Sequence, residues 1–172
     1  MKTSAQKPKL IAHTGFYIAS DAAYAPTIKD TDAGYFLEKE PVKIFNPYDA
    51  SALTDVLRDR LSSPNEVISA PPIAPKSLVV GDLLRISTQA ELERKTVFMS
   101  VTRLDTGFRI ESQPKKSDGT WDRKADRLID CYLPVTTTYE QLAAAIIEHL
   151  KSRKDLPGSM VDFNQPKTAR GA

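Results

Sequence analysis

The sequence predicts a single α+β domain, a mainly antiparallel sheet of about five strands with two or three helices packed on one face. Residues 96–113 carry the clearest hairpin: Val97, Met99 and Val101 alternate, Asp105-Thr106-Gly107 marks a turn, and Phe108–Gln113 returns. Two stretches hold apolar residues at helical spacing, Leu53, Val56, Leu57 and Leu61 in one, Leu142, Ala145, Ile146 and Leu150 in the other. The chain has 172 residues, 41% hydrophobic and 27% charged. That is long enough for one buried core and too apolar for a disordered chain.

Gly15–Ser20 has strand propensity from Phe16, Tyr17 and Ile18. Asp21–Ala33 reads as a loop, because Pro26 and three aspartates interrupt any period. Gly34–Ile44 reads as a second strand, and Pro41 assigns it to an edge, a bulge or two short strands. Asn46-Pro47-Tyr48-Asp49 is a turn, and Asp49 or Ser51 caps the helix that follows. That helix stops at Ser62-Ser63-Pro64, since proline prevents continuation. Glu66–Ala70 is short and apolar enough for a strand, and Pro71–Pro75 is a stiff connector. Leu78–Leu84 is ambiguous. Thr88-Gln89-Ala90-Glu91 is a capping box that opens a short helix through Lys95. Beyond the hairpin, Pro114–Lys124 is a polar loop containing Trp121, and Arg127–Val135 is a further strand. Thr137-Thr138-Tyr139-Glu140 is a second capping box, and Pro157-Gly158 ends its helix. Gly34–Lys43 and Gly107–Lys116 echo each other, each with a Gly-aromatic start, a proline and a lysine. Convergence of two hairpin-plus-helix units and duplication both account for that echo.

The ends are basic and the middle is not. Residues 1–12 form a basic arm with Lys2, Lys7 and Lys9, residues 13–152 the domain, and residues 153–172 a tail with an excess of bases. The arm resembles a basic signal-peptide start, but the apolar stretch after it contains His13, Thr14, Gly15 and Ser20 and runs into the first strand without a small-residue cleavage pattern, so no signal peptide is expected. The longest uncharged run, Leu10–Ser20, is too short for a membrane span. With one cysteine, Cys131, no internal disulfide forms, and the cytoplasm is the expected compartment. The formal net charge is +2, yet residues 30–66 hold a clear excess of acids, Glu38, Glu40, Asp55 and Asp59 among them.

No motif announces catalysis. A nucleophilic Ser-His or Cys-His couple needs a histidine held by a third group, and neither His13 nor His149 has a motif around it. One cysteine and two distant histidines do not make a zinc site. There is no Walker A sequence and no glycine-rich dinucleotide loop. The bases around Trp121 (Lys115, Lys116, Arg123, Lys124, Arg127) are nearly cancelled by Asp118, Asp122 and Asp126, so nucleic-acid binding is not expected. Trp121 itself is either a lid over the core or an interface anchor. The residues alone call for no enzyme activity, no cofactor, no metal and no membrane.

A series of landmarks carries a family likeness over roughly residues 15–152. They are Gly34-Tyr35-Phe36-Leu37-Glu38-Lys39-Glu40-Pro41-Val42, the Leu53–Leu61 helix after a turn, and Ser87–Lys95 after a proline-rich connector. Gly107-Phe108-Arg109-Ile110-Glu111, Gly119-Thr120-Trp121, and Leu133-Pro134 before the closing helix complete the series. In this order the chain resembles bacterial immunity proteins of the contact-dependent growth inhibition type. Members often have Ser-Trp where this chain has Ser87-Thr88, and Gly-Phe where it has Gly119-Thr120-Trp121. The resemblance implies a non-enzymatic inhibitor that binds the C-terminal toxin domain of a secreted effector and blocks it in the cytoplasm. A toxic nuclease holds phosphate in a basic cleft, which carboxylates can fill. Glu38, Glu40, Asp55 and Asp59 are therefore the expected toxin-contacting residues, with Trp121 as an apolar anchor. The alternatives are a small enzyme or nucleotide- or small-molecule-binding protein, and an assembly adaptor.

Overall fold

The computed structural model describes residues 7–19, 22–73 and 78–156. Among these, seven strands and four helices follow in the order β1 (Leu10–Ala19), β2 (Ala22–Thr31), β3 (Phe36–Phe45), α1 (Ala50–Leu61), β4 (Glu66–Ile68), α2 (Val79–Leu83), α3 (Gln89–Lys95), β5 (Val97–Leu104), β6 (Gly107–Ser112), β7 (Ile129–Pro134) and α4 (Tyr139–Ser152). The fold is α+β, as expected, with more strands than expected. The sheet runs β3-β2-β1-β5-β6-β7 with antiparallel neighbours, and β4 joins β2 in parallel. Two βββα units, β1-β2-β3-α1 and β5-β6-β7-α4, meet where β1 pairs β5. The sequence echo links β3 with β6, an outer strand with a middle one, so it does not relate equivalent strands of these units.

The loop expected over Asp21–Ala33 is mostly strand. Ala23 and Ala25 are fully buried in the core, and alanines give no strand signal in sequence. Pro26 falls where the β2–β3 ladder is already irregular, between Ala25↔Lys43 and Thr27↔Lys39, so its missing N–H breaks no regular pairing. On the β3 side the irregularity spans the cis Glu40-Pro41 bond. That is the bulged edge strand Pro41 predicts.

Both long helices form as their patterns predict. The Asp49 carboxylate accepts from the Ser51 and Ala52 N–H groups at the start of α1. At α4 the capping box is Thr138 with Gln141, one residue later than the sequence suggests. At α3 the Thr88 hydroxyl accepts from the Glu91 N–H, and the Glu91 carboxylate turns to Lys95. Leu53, Leu57 and Leu61 of α1 join Leu142, Ile146 and Leu150 of α4 against Phe16, Ile18, Met99, Val101 and Ile110 of the sheet.

Helices lie on both faces, not one. Tyr17, between Phe16 and Ile18 on β1, points away from α1 and α4 into a second cluster with Val80, Ile86, Leu92 and Trp121, the layer of α2 and α3. The domain also reaches beyond its expected limits. Leu10–Ala12 belong to β1, Arg153 is buried, and Leu156 is in the main core. Arg153 holds Asp155 with two hydrogen bonds and donates to the Ser112 hydroxyl and the Gln113 carbonyl. The rest of the arm and tail, residues 1–6 and 157–172, and the Pro157-Gly158 helix stop lie outside the described residues.

Candidate functional site

A break in the sheet makes the site. β1 and β2 pair only at Tyr17↔Tyr24, Ile18↔Ala23 and Ala19↔Ala22. From Tyr17 back to Leu10, β1 stays with β5, while β2 continues with β3 and takes β4 on its free side. Asn65 closes the fork. Its Oδ1 accepts the His13 N–H at 2.7 Å, and its Nδ2 donates to the carbonyls of His13 at 3.0 Å and Ile28 at 3.3 Å. Three of the backbone groups freed by the fork, the His13 N–H and the His13 and Ile28 carbonyls, are thereby satisfied.

Over the fork, on the face away from α1 and α4, lies a groove of about 610 Å³, within the roughly 300–1,000 Å³ of ligand pockets. His13, Asp30, Glu38, Ser100, Thr102 and Glu111 are among its polar lining residues. Leu10, Tyr35, Phe36 and Val67 are its exposed apolar residues, and Phe36 leaves 53% of its surface uncovered. Gly15 shapes the floor. A Cβ there would sit 2.5 Å from the Phe98 ring, which packs across β1 at that point.

Three carboxylates line the groove, and no lysine or arginine does among the described residues. Asp30 holds the His13 Nε2 at 2.7 Å, and the Phe36 ring meets the imidazole edge-on at 4.8 Å. The Tyr17 hydroxyl donates to Glu38 at 2.5 Å. Burial pushes the Glu38 carboxyl up, and the Tyr17 hydrogen bond only partly opposes it. Tyr17 is itself held neutral by burial and by the Glu38 charge. Glu111 is paired with Arg109 at 3.3 Å and with Arg127. His13 with Asp30 has the form of a base and its orienting group. Among the described residues no serine, threonine or cysteine side chain is hydrogen-bonded to that ring.

The five residues singled out in sequence do not form one patch. Glu38 lines the groove. Glu40 is exposed at the β3 bulge, in a depression with Val42, Asp82 and Leu83 toward α2. Asp55 and Asp59 project from α1, in the layer on the other side of the sheet. They are also paired, Asp55 with Arg58 at 3.3 Å, Asp59 with Lys43 at 3.0 Å and Arg60 at 3.7 Å. Trp121 is 6% exposed and acts as a lid, so it offers little surface as an anchor. Its indole N–H donates to the Thr96 carbonyl at 2.9 Å, and its backbone N–H donates to Glu93 at 3.1 Å. Asp30, Phe36, His13 and Glu111 were missed as site residues. The available signal was alternation: His13, Gly15 and Tyr17 share one face of β1, and that face carries the polar group and the gap.

No group of three or more His, Cys, Asp or Glu side chains able to hold a metal occurs among the described residues. Cys131 is half-buried on β7 against the main core. No helix among the described residues is long and apolar enough to cross a membrane.

No protein-family model matches this sequence, and none of the curated proteins is similar to it at a significant level. Solved structures share the fold. A chain of the CdiA-CT/CdiI toxin and immunity complex from Yersinia pseudotuberculosis superposes with a TM-score of 0.56 at 14% identity, over 83% of this chain and 97% of that one. A protein of unknown function from Neisseria meningitidis, NMB0488, superposes with a TM-score of 0.56 at 12% identity, over 82% of this chain and 93% of that one. At such identities the likeness is one of fold.

Proposed function

We propose that this chain is an immunity protein: it binds a cognate toxin domain in the cytoplasm, occludes the toxin's active site and performs no catalysis of its own. The observation that carries this reading is the shared fold with a chain of a toxin and immunity complex, over nearly the whole length of that chain. The landmark likeness between residues 15 and 152 points the same way. The face proposed for the toxin is the groove side of the sheet, with Glu38 in the groove and Glu40 in the separate depression toward α2. An acid-lined, apolar-rimmed hollow suits a basic cleft, because opposite potentials speed encounter and burial of the rim slows release.

The test is co-production with the toxin domain encoded beside its gene. The chain is expected to restore growth and to co-purify with the toxin as a stable complex. A chain that neither binds that toxin nor protects cells from it would sink the reading. Turnover of any substrate by the purified chain, lost in His13→Ala, would show an enzyme instead.

A further inference from the structure

We propose that the groove is a socket for an arginine side chain, and, resting on the function proposed above, that the toxin presents this arginine. The groove lies on the α2–α3 face of the sheet, where neither helix contributes to its lining among the described residues, and has the size of a ligand pocket. Its lining is one-sided in charge: Asp30, Glu38 and Glu111, with no lysine or arginine among the described residues. Glu111 is engaged by Arg109 and Arg127, which leaves Asp30 and Glu38 as the acids without a cationic side chain of their own other than His13. Each already accepts one hydrogen bond, and a carboxylate has about four lone-pair sites, so both retain capacity to accept more.

The rim decides between the two long cations. Phe36 stands half-exposed beside Asp30's partner His13, and Tyr35 is next to it. A guanidinium stacks on an aromatic face while its edge donates in a planar fork to a carboxylate; an ammonium does neither as well. Leu10 and Val67, also exposed, border the same hollow and would cover the aliphatic part of the side chain. The occupant is thus fixed by three features together: the charge of the lining, the ring at its rim and the apolar margin.

The experiment titrates N-acetyl-arginine amide into the isotope-labelled chain and follows backbone amide resonances. Saturable shifts are expected at Gly15, Ser100 and Thr102. The neutral isostere N-acetyl-citrulline amide should leave them in place. Asp30→Asn should weaken arginine binding by about tenfold or more, the loss of one charge-assisted hydrogen bond. Glu38→Gln is the second variant and serves if the first does not fold. Groove resonances that ignore the arginine probe, or follow citrulline equally, overturn the socket. So does a folded Asp30→Asn or Glu38→Gln chain that binds the probe as tightly as the original. A second arm separates the two proposals. A toxin neutralised equally by the original chain and by Asp30→Asn overturns the socket and leaves the immunity reading standing. A chain that binds the probe in its groove yet protects from no toxin does the reverse.

Discussion

The two ends of one sheet face treat their carboxylates in opposite ways. At the closed end, Glu93 is on the buried side of α3 against Trp121, accepting from the Arg123 guanidinium at 2.5 Å, the Gln89 amide at 3.0 Å and the Trp121 N–H at 3.1 Å. Burial pushes the Glu93 carboxyl up, but these three donors outweigh it and hold the group below its usual range. At the open end, Glu38 is bonded by one neutral hydroxyl, and burial keeps it raised. A fully satisfied buried acid serves the fold. An acid left short of donors beside an exposed ring is what a partner can complete.

The largest effect should come from the closed end. Trp121→Ala removes a lid that packs on Tyr17 and Phe98 at ring distances of 5.8 and 5.3 Å, and should cost about 3–5 kcal/mol in urea unfolding. Ile146→Ala, on the α4 stripe behind the sheet, should cost about 2–5 kcal/mol. An unchanged unfolding midpoint for Trp121→Ala would break the comparison, since it would make the closed end as dispensable as the rim; an unchanged midpoint for Ile146→Ala would remove the α4 stripe from the core.

Asn65→Ala comes next. It leaves a His13 N–H and two carbonyls without their partner at the fork, for roughly 1–3 kcal/mol. Faster amide exchange at His13, with the β5–β6 amides unchanged, would locate the damage. Uniformly faster exchange would mean the fork is not a separate unit.

Acidity distinguishes the two glutamates by sign. Glu93 has a lowered folded value, so its stabilisation is present above the unfolded value of about 4.3 and is lost as pH falls through the folded value. Glu38 has a raised folded value, so its contribution is full below about 4.3 and is lost as pH rises through the folded value. Near neutrality, Glu93→Gln should therefore destabilise the chain and Glu38→Gln should stabilise it. Urea midpoints measured between about pH 3 and pH 7 would show whether the two variants diverge with these signs.

The smallest stability effect belongs to Phe36→Ala, within about 0.5 kcal/mol, because that ring is half in solvent. Its binding effect should be out of proportion, with weaker arginine-amide binding in the same titration. A large loss of stability instead would place Phe36 among structural residues.

Local chemistry was legible in the sequence. The Asp49 cap, the α1 and α4 stripes, the Asp105-Thr106-Gly107 turn and the Pro41 irregularity depend on neighbours a few residues away, and each is where its pattern puts it. At Gly107 the turn signal coincides with a tertiary demand: its φ is +151°, and the Leu133 carbonyl of β7 leaves no room for a Cβ there. β2 was not legible, because buried alanines and a proline carry no strand signal. Nor was the capping of α4 resolved to the residue, since Thr137 and Thr138 are equally good caps by composition.

By itself, then, the sequence determined the class of fold, the two core-facing helix stripes and the lack of a recognisable catalytic motif. Those follow from periodicity and from which side chains are present at all. Only the tertiary structure decided which acids share a surface. Glu38 and Asp55 lie in one acidic stretch of chain yet on opposite sides of the sheet, while His13 and Asp30, with Phe36 beside them, converge. Strand alternation sends successive side chains to opposite faces, and the fork between β1 and β2 then sets which of them meet.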